Sequence, residues 1–203
     1  MWQKCNTNAV LIHIYSFIDK HILRIKNSVS NLVDILNDFL SVSKLEEGMI
    51  SAHPETFNVN QLLEDIAYEM SALIDKGQTI KLNFEGVTKM NSDPKLIRNV
   101  MVNLLTNAVK YSFENSVIVC GTRLYQNGTE IYVQNDGIGI PEKEQKNLFQ
   151  RFFRAENATN IKGTGLGLNI VQKYVSLLGG AIEFESTANQ TTIFKVKIPH
   201  QVS

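Results

Sequence analysis

The sequence has few of the residues that build disulfide-linked or zinc-binding proteins. Only two cysteines, Cys5 and Cys120, occur among 203 residues, and they are too far apart to form a paired metal-binding motif. The four histidines form no His-x-x-x-His pair. We therefore expect neither a disulfide framework nor a zinc site, and a cytoplasmic location fits this composition because that compartment is reducing.

The chain also lacks an excess of charge of either sign. Lys plus Arg number 20, as do Asp plus Glu, so nothing supplies the basic field that nucleic-acid binding needs, and we expect no nucleic-acid partner. An apolar run at residues 9–18 is well short of the roughly twenty residues that span a bilayer. We interpret this run as a buried helix segment, and a membrane anchor elsewhere in a longer parent protein stays open.

Residues 21–50 show the spacing of an amphipathic helix, with apolar residues three and four positions apart. This spacing is typical of a coiled coil or a helical hairpin. So narrow a stripe needs a partner helix from this chain or from a second copy, with burial of a single helix as the alternative. Residues 1–20 are interpreted as that partner or as a remnant, and residues 51–58 are predicted to be a linker. The stripe consists of Ile22, Ile25, Val29, Leu32, Leu36 and Phe39.

Residues 59–203 predict one domain with three helices. The first helix follows a cap at Asn58. The second begins at Asp93 and Pro94, because a carboxylate can accept hydrogen bonds from free amides and proline suits the first helical position. It should run to about Ser112. The third helix, residues 165–178, should end at Gly179, since glycine is favoured just after a helix.

Five strands alternate with these helices. Asn127 and Gly128 predict a tight hairpin between the second and third strands, because both residues tolerate a positive φ. Helices interleaved with partly antiparallel strands predict an α+β fold, a two-layer α/β sandwich with three helices on one face of a mixed sheet. The strands are expected at residues 79–84, 117–125, 130–134, 181–185 and 191–198.

The helix that begins at Asp93 has two contrasting sides. Asn99, Asn103 and Asn107 recur every four residues, although asparagine costs up to about 0.7 kcal/mol relative to alanine inside a helix. Carboxamide oxygens are hard, neutral ligands that suit Mg²⁺, so the stripe is a candidate metal site. A solvated polar face is the alternative. The other side is predicted to be core: Leu96, Ile97, Val100, Met101, Leu104, Leu105 and Ala108.

Two glycine-rich segments are candidate ligand loops. The first glycine loop (residues 136–140) follows a strand, offers the Asp136 carboxylate to an amino group, and contains glycines that let the backbone approach a flat ligand. A simple turn is the alternative. The second glycine loop (residues 163–168) opens the third helix, where free amides favour phosphate, and a tight packing loop is the alternative. Its spacing matches neither a dinucleotide-fold motif nor a P-loop.

The polar residues 141–162 between the two loops are interpreted as a lid, called here the lid segment. Near its middle, Arg151 and Arg154 flank aromatic residues that begin at Phe149. The arginines could reach phosphates and the phenylalanines could anchor the lid. An amphipathic helical turn explains this composition equally well.

Taken in order, residues 103–112, 136–140, 149–154 and 163–168 resemble the N, G1, F and G2 boxes of sensor histidine kinases. Residues 21–48 are similar to the second helix of that family's dimerisation hairpin, so the resemblance covers about residues 22–199. It implies a domain that binds ATP and Mg²⁺ and transfers the γ-phosphoryl group to a histidine, for relay to a response regulator. It also implies a homodimer formed through residues 21–45.

The resemblance implies a role for each candidate site residue. Asn107 would coordinate Mg²⁺, while Asn103 beside it and Lys110 at the phosphates would be catalytic. Tyr111 would flank the nucleotide, and Asp136 would bind the adenine amino group. The second glycine loop would hold the phosphates under the lid segment. Further nucleotide contacts are implied for Gly137, Gly139, Ile140, Phe149, Arg154, Lys162, Gly163, Thr164, Gly165, Leu166, Gly167, Leu168 and Thr192.

One element of the family pattern is missing. Sensor kinases present their phosphoacceptor in a motif resembling His-Glu-x-Arg-Thr-Pro, whereas His13 and His21 are each followed by isoleucine. Neither has the adjacent acid that activates the imidazole as a nucleophile. We therefore expect the acceptor histidine to lie outside this sequence. An ATPase or serine kinase of the same fold, and a dimerisation scaffold that binds nucleotide without turnover, stay open as alternatives.

Overall fold

A computed structural model of the chain describes residues 3–72, 74, 77–86, 88–125 and 128–200. It divides into two compact units, Met1–Ser41 and Val42–Ser203. The predicted hairpin residue Asn127 and the side chain of His13 lie outside the described part.

The first unit is the greater part of one long helix, α1 (Gln3–Glu46). Residues 3–20 continue the same helix as the residues that follow, so they do not fold back as a partner. All six residues of the predicted apolar stripe are between 48 and 69% exposed. The prediction that residues 9–18 are buried is wrong at the two positions whose side chains are described, because Phe17 and Ile18 are exposed. Within the described residues, no helix is long and apolar enough to cross a membrane.

The second unit is built on a five-stranded sheet. Its strands are β2 (Thr79–Phe84), β4 (Val117–Tyr125), β5 (Gly128–Asp136), β6 (Ala181–Ser186) and β7 (Thr191–Pro199), and their order in the sheet is β2-β4-β5-β7-β6. Strand β2 runs parallel to β4 and the remaining neighbours are antiparallel, which confirms the predicted mixed sheet. Alternate side chains of β7 are buried, because successive residues of a strand point to opposite faces.

Three helices supply the second layer: α2 (Val59–Ser71), α3 (Pro94–Tyr111) and α5 (Gly167–Leu177). All seven residues predicted as the core side of α3 are buried, and they share one hydrophobic core with residues of the sheet. Both predicted caps are present. Asn58 Oδ1 accepts a hydrogen bond from the Gln61 amide at 3.2 Å, and Asp93 Oδ1 accepts two from Lys95 and Leu96 at 2.8 and 3.0 Å.

Two short strands were not predicted. Strand β1 (Glu55–Asn58) lies within the residues expected to form a linker, and it pairs antiparallel with β3 (Lys89–Ser92). Ile50 and Phe57 pack against the core, and Val42 is buried in it. The predicted linker therefore lies inside the second compact unit. The lid segment contains a short helix, α4 (Glu142–Gln145), and a 3-10 turn (Glu156–Ala158).

Candidate functional site

The end of β5, the C-terminal half of α3 and the entry to α5 meet at one place in the second unit. The Ile138 amide donates to the Tyr111 carbonyl at 3.1 Å, which joins the first glycine loop to α3. A Cβ atom added to Gly167 would lie 2.9 Å from Asn103 Oδ1, so α3 also borders the second glycine loop. The structure thus brings the predicted N, G1 and G2 segments together.

Asp136 lies exposed at the C-terminal end of β5, and its carboxylate is oriented by one neighbour. Thr191 stands directly opposite Asp136 in the β5–β7 ladder, and its hydroxyl donates to Asp136 Oδ1. The predicted contact from the last strand, Thr192, is instead buried and hydrogen-bonds Ser186 Oγ at 2.7 Å. Thr191 could not be identified from the sequence, because the strand register decides which of two adjacent threonines faces Asp136.

The first glycine loop needs its glycines for steric reasons. A Cβ atom on Gly137 would lie 2.0 Å from the Tyr111 carbonyl oxygen. Gly139 has φ +59°, and a Cβ there would lie 2.1 Å from the carbonyl oxygen of Thr187. Glycine is the residue that tolerates both the left-handed backbone and this close approach. The loop is held by the Ile140 amide, which donates to Ser186 Oγ at 3.0 Å.

The asparagine stripe of α3 is partly enclosed. Asn103 and Asn107 are half-buried whereas Asn99 is exposed, so the face is not fully solvated at the two later positions. Asn103 Nδ2 donates to the Asn99 carbonyl at 2.9 Å, and this bond leaves its Oδ1 directed toward Gly167. Farther along the helix Lys110 is exposed. The stripe therefore presents the Asn103 amide oxygen beside the second glycine loop.

Tyr111 ends α3 between the two loops. Its hydroxyl lies 3.6 Å from the position a Cβ atom on Gly163 would take. Burial raises the pKa of Tyr111, while the positive charge of Arg154 acts in the opposite direction. The ring is therefore a neutral, half-buried surface at physiological pH.

The second glycine loop is a tight turn into α5. Gly165 has φ +73°, and a Cβ there would lie 2.7 to 2.9 Å from backbone atoms of Phe152 and Phe153. The Leu166 amide donates to Thr164 Oγ1 at 3.1 Å. Leu166 is buried, Leu168 packs against the core, and Lys162 before the loop is exposed. Since the first amides of a helix have no partner within it, this end of α5 offers N–H donors to an anion.

Phe149 attaches the lid segment to the core of the second unit. The Phe149 ring meets Phe184 edge-on with 5.8 Å between centroids, and its carbonyl accepts from Asn169 Nδ2 at 2.9 Å. Phe149 is thus an anchor on the core, as its predicted role in the lid requires.

Arg154 holds the far half of the lid segment together. Its Nη2 donates to the carbonyls of Ala158, at 2.7 Å, and Thr159, at 3.2 Å, and also to that of Ile161. Its Nε is buried and has no hydrogen-bond partner among the described residues. The guanidinium therefore orders the far half of the lid segment.

Comparison with known proteins decides the family. Residues 92–202 match the family model described as histidine kinase-, DNA gyrase B- and HSP90-like ATPase, and this match covers more than half of the chain. The chain belongs to that ATPase family. It is 32% identical over 191 residues to the circadian input-output histidine kinase CikA of Synechococcus elongatus, covering 90% of this chain and 25% of CikA. The chain thus spans about a quarter of the length of this curated relative.

Solved histidine kinases share the fold. The crystal structure of full-length ShkA in complex with AMPPNP superposes with a TM-score of 0.79 at 22% identity, covering 91% of this chain and 39% of ShkA. The complex of histidine kinase ThkA with the response regulator TrrA gives a TM-score of 0.73 at 25% identity, covering 91% of this chain and 52% of that one. The two-layer architecture of this ATPase-family chain is thus that of histidine kinase catalytic domains.

Proposed function

We propose that residues 59–203 are the ATP-binding catalytic domain of a two-component sensor histidine kinase. The observation that carries this proposal is the Asp136 carboxylate, which Thr191 orients beside the first glycine loop, while that loop is bonded to α3 and α3 borders the second glycine loop. One carboxylate oxygen is occupied by the Thr191 hydroxyl, so the other is available to accept from an exocyclic amino group such as that of adenine. The relative ShkA, solved with AMPPNP, has the same fold.

The nucleotide would lie between the two glycine loops. Gly137, Gly139 and Ile140 would border the base, and Tyr111 would lie against the nucleotide as a neutral ring. The backbone from Gly163 to Leu168 would bind the phosphates through free amides at the start of α5. Lys110, Lys162 and the buried Nε of Arg154 would add donors for phosphate oxygens.

The donor set fits Mg²⁺ held jointly with phosphate. Among the described residues, no group of three or more His, Cys, Asp or Glu side chains is placed to hold a metal ion. A metal here would therefore depend on the amide oxygen of Asn107, with Asn103 beside it, and on phosphate oxygens and water. Bound Mg²⁺ would neutralise charge on the phosphates and orient them for transfer.

Asn103 favours phosphoryl transfer over ATP hydrolysis. An amide does not titrate, so Asn103 is unable to act as a general base toward water. Its contacts with Asn99 and Gly167 instead suit positioning. Since neither His13 nor His21 has an adjacent acid, the acceptor histidine would be supplied by another segment or another chain, and the phosphoryl group would pass on to a response regulator. ThkA, solved with its response regulator TrrA, is a precedent for the last partner.

The exposed stripe of α1 supports dimerisation through residues 21–45. Six apolar side chains lie along one helix, each at least 48% exposed, and a second helix would cover them. In this assignment α1 supplies the dimerisation helix from residue 21 onward, and residues 3–20 extend it.

A thermal unfolding scan with Mg²⁺-ADP tests nucleotide binding. Ligand at a hundred times its dissociation constant should add about 2.7 kcal/mol, which raises the melting temperature by roughly 5 to 10 °C for a chain of this size. Asp136→Ala should abolish the shift, whereas Asp65→Ala, which removes an exposed carboxylate on α2, should keep it. If the wild-type protein shows no shift, the site does not bind nucleotide and the proposed function is refuted.

Transfer is tested separately with γ-labelled ATP. The chain alone should acquire no label, and label should appear on an added helical fragment that contains a sensor-kinase acceptor motif. Label on His13 or His21 would contradict the proposal.

A further inference from the structure

One side chain of the lid segment reaches back to the first glycine loop. Asn157 Nδ2 donates to the carbonyl of Ile138 at 3.1 Å and to that of Gly139 at 3.0 Å. An amide nitrogen carries two hydrogens, so one group can serve both acceptors. Asn157 thus binds two consecutive carbonyls of the loop, nineteen and eighteen residues away in sequence.

These two bonds fix the peptide planes on both sides of Gly139. The Ile138 carbonyl also accepts from the Asn189 amide at 2.9 Å. The Gly139 carbonyl shares its plane with the Ile140 amide, which donates to Ser186 Oγ at 3.0 Å. Because a peptide unit is planar, holding its carbonyl also orients its N–H. The turn between β6 and β7 holds the loop from one side, and Asn157 holds it from the other.

Asn157 is itself held in place. It lies in the 3-10 turn Glu156–Ala158, whose last carbonyl accepts from Arg154 at 2.7 Å. The Glu156 amide donates to Glu144 Oε2 at 3.1 Å, and Lys143 pairs with the Glu156 carboxylate at 2.9 Å. The turn is therefore braced both by Arg154 and by α4, which restricts where the Asn157 amide can point.

We propose that Asn157 is a positioning residue that couples the lid segment to recognition of the base. By holding the Ile138 and Gly139 carbonyls, it fixes the backbone that follows Asp136, and so fixes the surface against which adenine would lie. This inference rests on the proposed nucleotide-binding function. It predicts that loss of the Asn157 amide impairs binding at the base end of the site and spares the phosphate end.

The test compares Mg²⁺-ADP and Mg²⁺-GDP binding by calorimetry in four proteins: wild type, Asn157→Ala, Asn157→Asp and Asn160→Ala. Alanine removes both donors, and aspartate keeps the size but places a carboxylate against two carbonyls. Both variants should weaken ADP binding about three- to tenfold. GDP, which relies on the phosphate end, should be affected less, so the ADP:GDP preference should fall. Asn160→Ala, an exposed residue of the same segment, should match the wild type.

A second measurement does not need nucleotide. The Ile140 amide donates to Ser186 Oγ, and its peptide plane is also held by Asn157, so its hydrogen exchange should be faster in Asn157→Ala and unchanged in Asn160→Ala. Equal losses for ADP and GDP, wild-type affinity in Asn157→Asp, or unchanged exchange at Ile140 would each overturn the coupling. If the wild type binds no ADP while Asn157→Ala still accelerates exchange, the proposed function fails and the structural link survives.

Discussion

Gly165→Ala should destabilise the protein whereas Gly163→Ala should not, although both glycines belong to the second glycine loop. Gly165 has φ +73°, and its Cβ would lie 2.7 Å from the carbonyl carbon of Phe152. The clash is with backbone, so no side-chain rotation relieves it. A Cβ on Gly163 would meet only the Tyr111 hydroxyl, at 3.6 Å, which is an ordinary contact, and Gly163 does not have a positive φ.

The expected changes in stability follow from the surroundings of these two glycines. The left-handed backbone alone costs a non-glycine residue about 1 to 2 kcal/mol, and displacement of Phe152 adds to that cost. Gly165→Ala should therefore lower the melting temperature by at least roughly 2 to 8 °C. Gly163→Ala restricts the unfolded chain without straining the folded one, so it should be neutral or should stabilise by up to about 1 kcal/mol.

The assay is a pair of thermal scans by circular dichroism, each repeated with Mg²⁺-ADP. Gly165→Ala should also lose most of the ligand-induced shift, because its backbone would move at the entry to α5. Equal melting temperatures for the two variants would refute the prediction, because they would show that the positive φ and the backbone contacts of Gly165 do not affect stability.

Two further predictions concern groups outside the loops. Burial alone would raise the pKa of Asp93, but amide hydrogen bonds from His53, Leu96 and Lys95 outweigh it and hold the pKa below its ordinary 3.8. Asp93 therefore stabilises the fold above that pH, and this contribution is lost as the pH falls through the lowered value. Asp93→Ala should flatten the acid side of the stability profile, whereas Asn58→Ala, which removes a neutral cap, should shift the profile without flattening it. Burial raises the pKa of Cys120 to about 12, so a thiol reagent should modify it only after unfolding, and rapid modification of the native Cys120 thiol would contradict its burial.

The elements that local signals define were predictable. Helix α3 could be predicted from a capping aspartate, a proline and a periodic apolar side, because each of these features acts within about four residues. The same holds for β4, whose predicted limits match the structure. The glycine loops could be found because their conformations restrict which residue can occupy a position.

Features that depend on distant partners were not predictable. Strand β1 has four residues and exists because β3 pairs with it from more than thirty residues away. The start of the second unit at Val42 depends on similar contacts. Glu46 pairs with Lys173 at 2.8 Å and also with Arg151. Nothing near Glu46 in the sequence indicates either partner.

The two threonines of β7 show that the geometry of the site depends on strand pairing as well as on the local sequence. The family resemblance implies a nucleotide contact at Thr192, but Thr191 and Thr192 point to opposite faces, so a shift of one residue exchanges their roles. The register is set by the whole β5–β7 pairing, nine residue pairs from Gly128 with Pro199 to Asp136 with Thr191. Burial of Phe194, Val196 and Ile198 holds this register, because a one-residue slip would expose all three. The hydrophobic core of β7 therefore decides which hydroxyl reaches the Asp136 carboxylate.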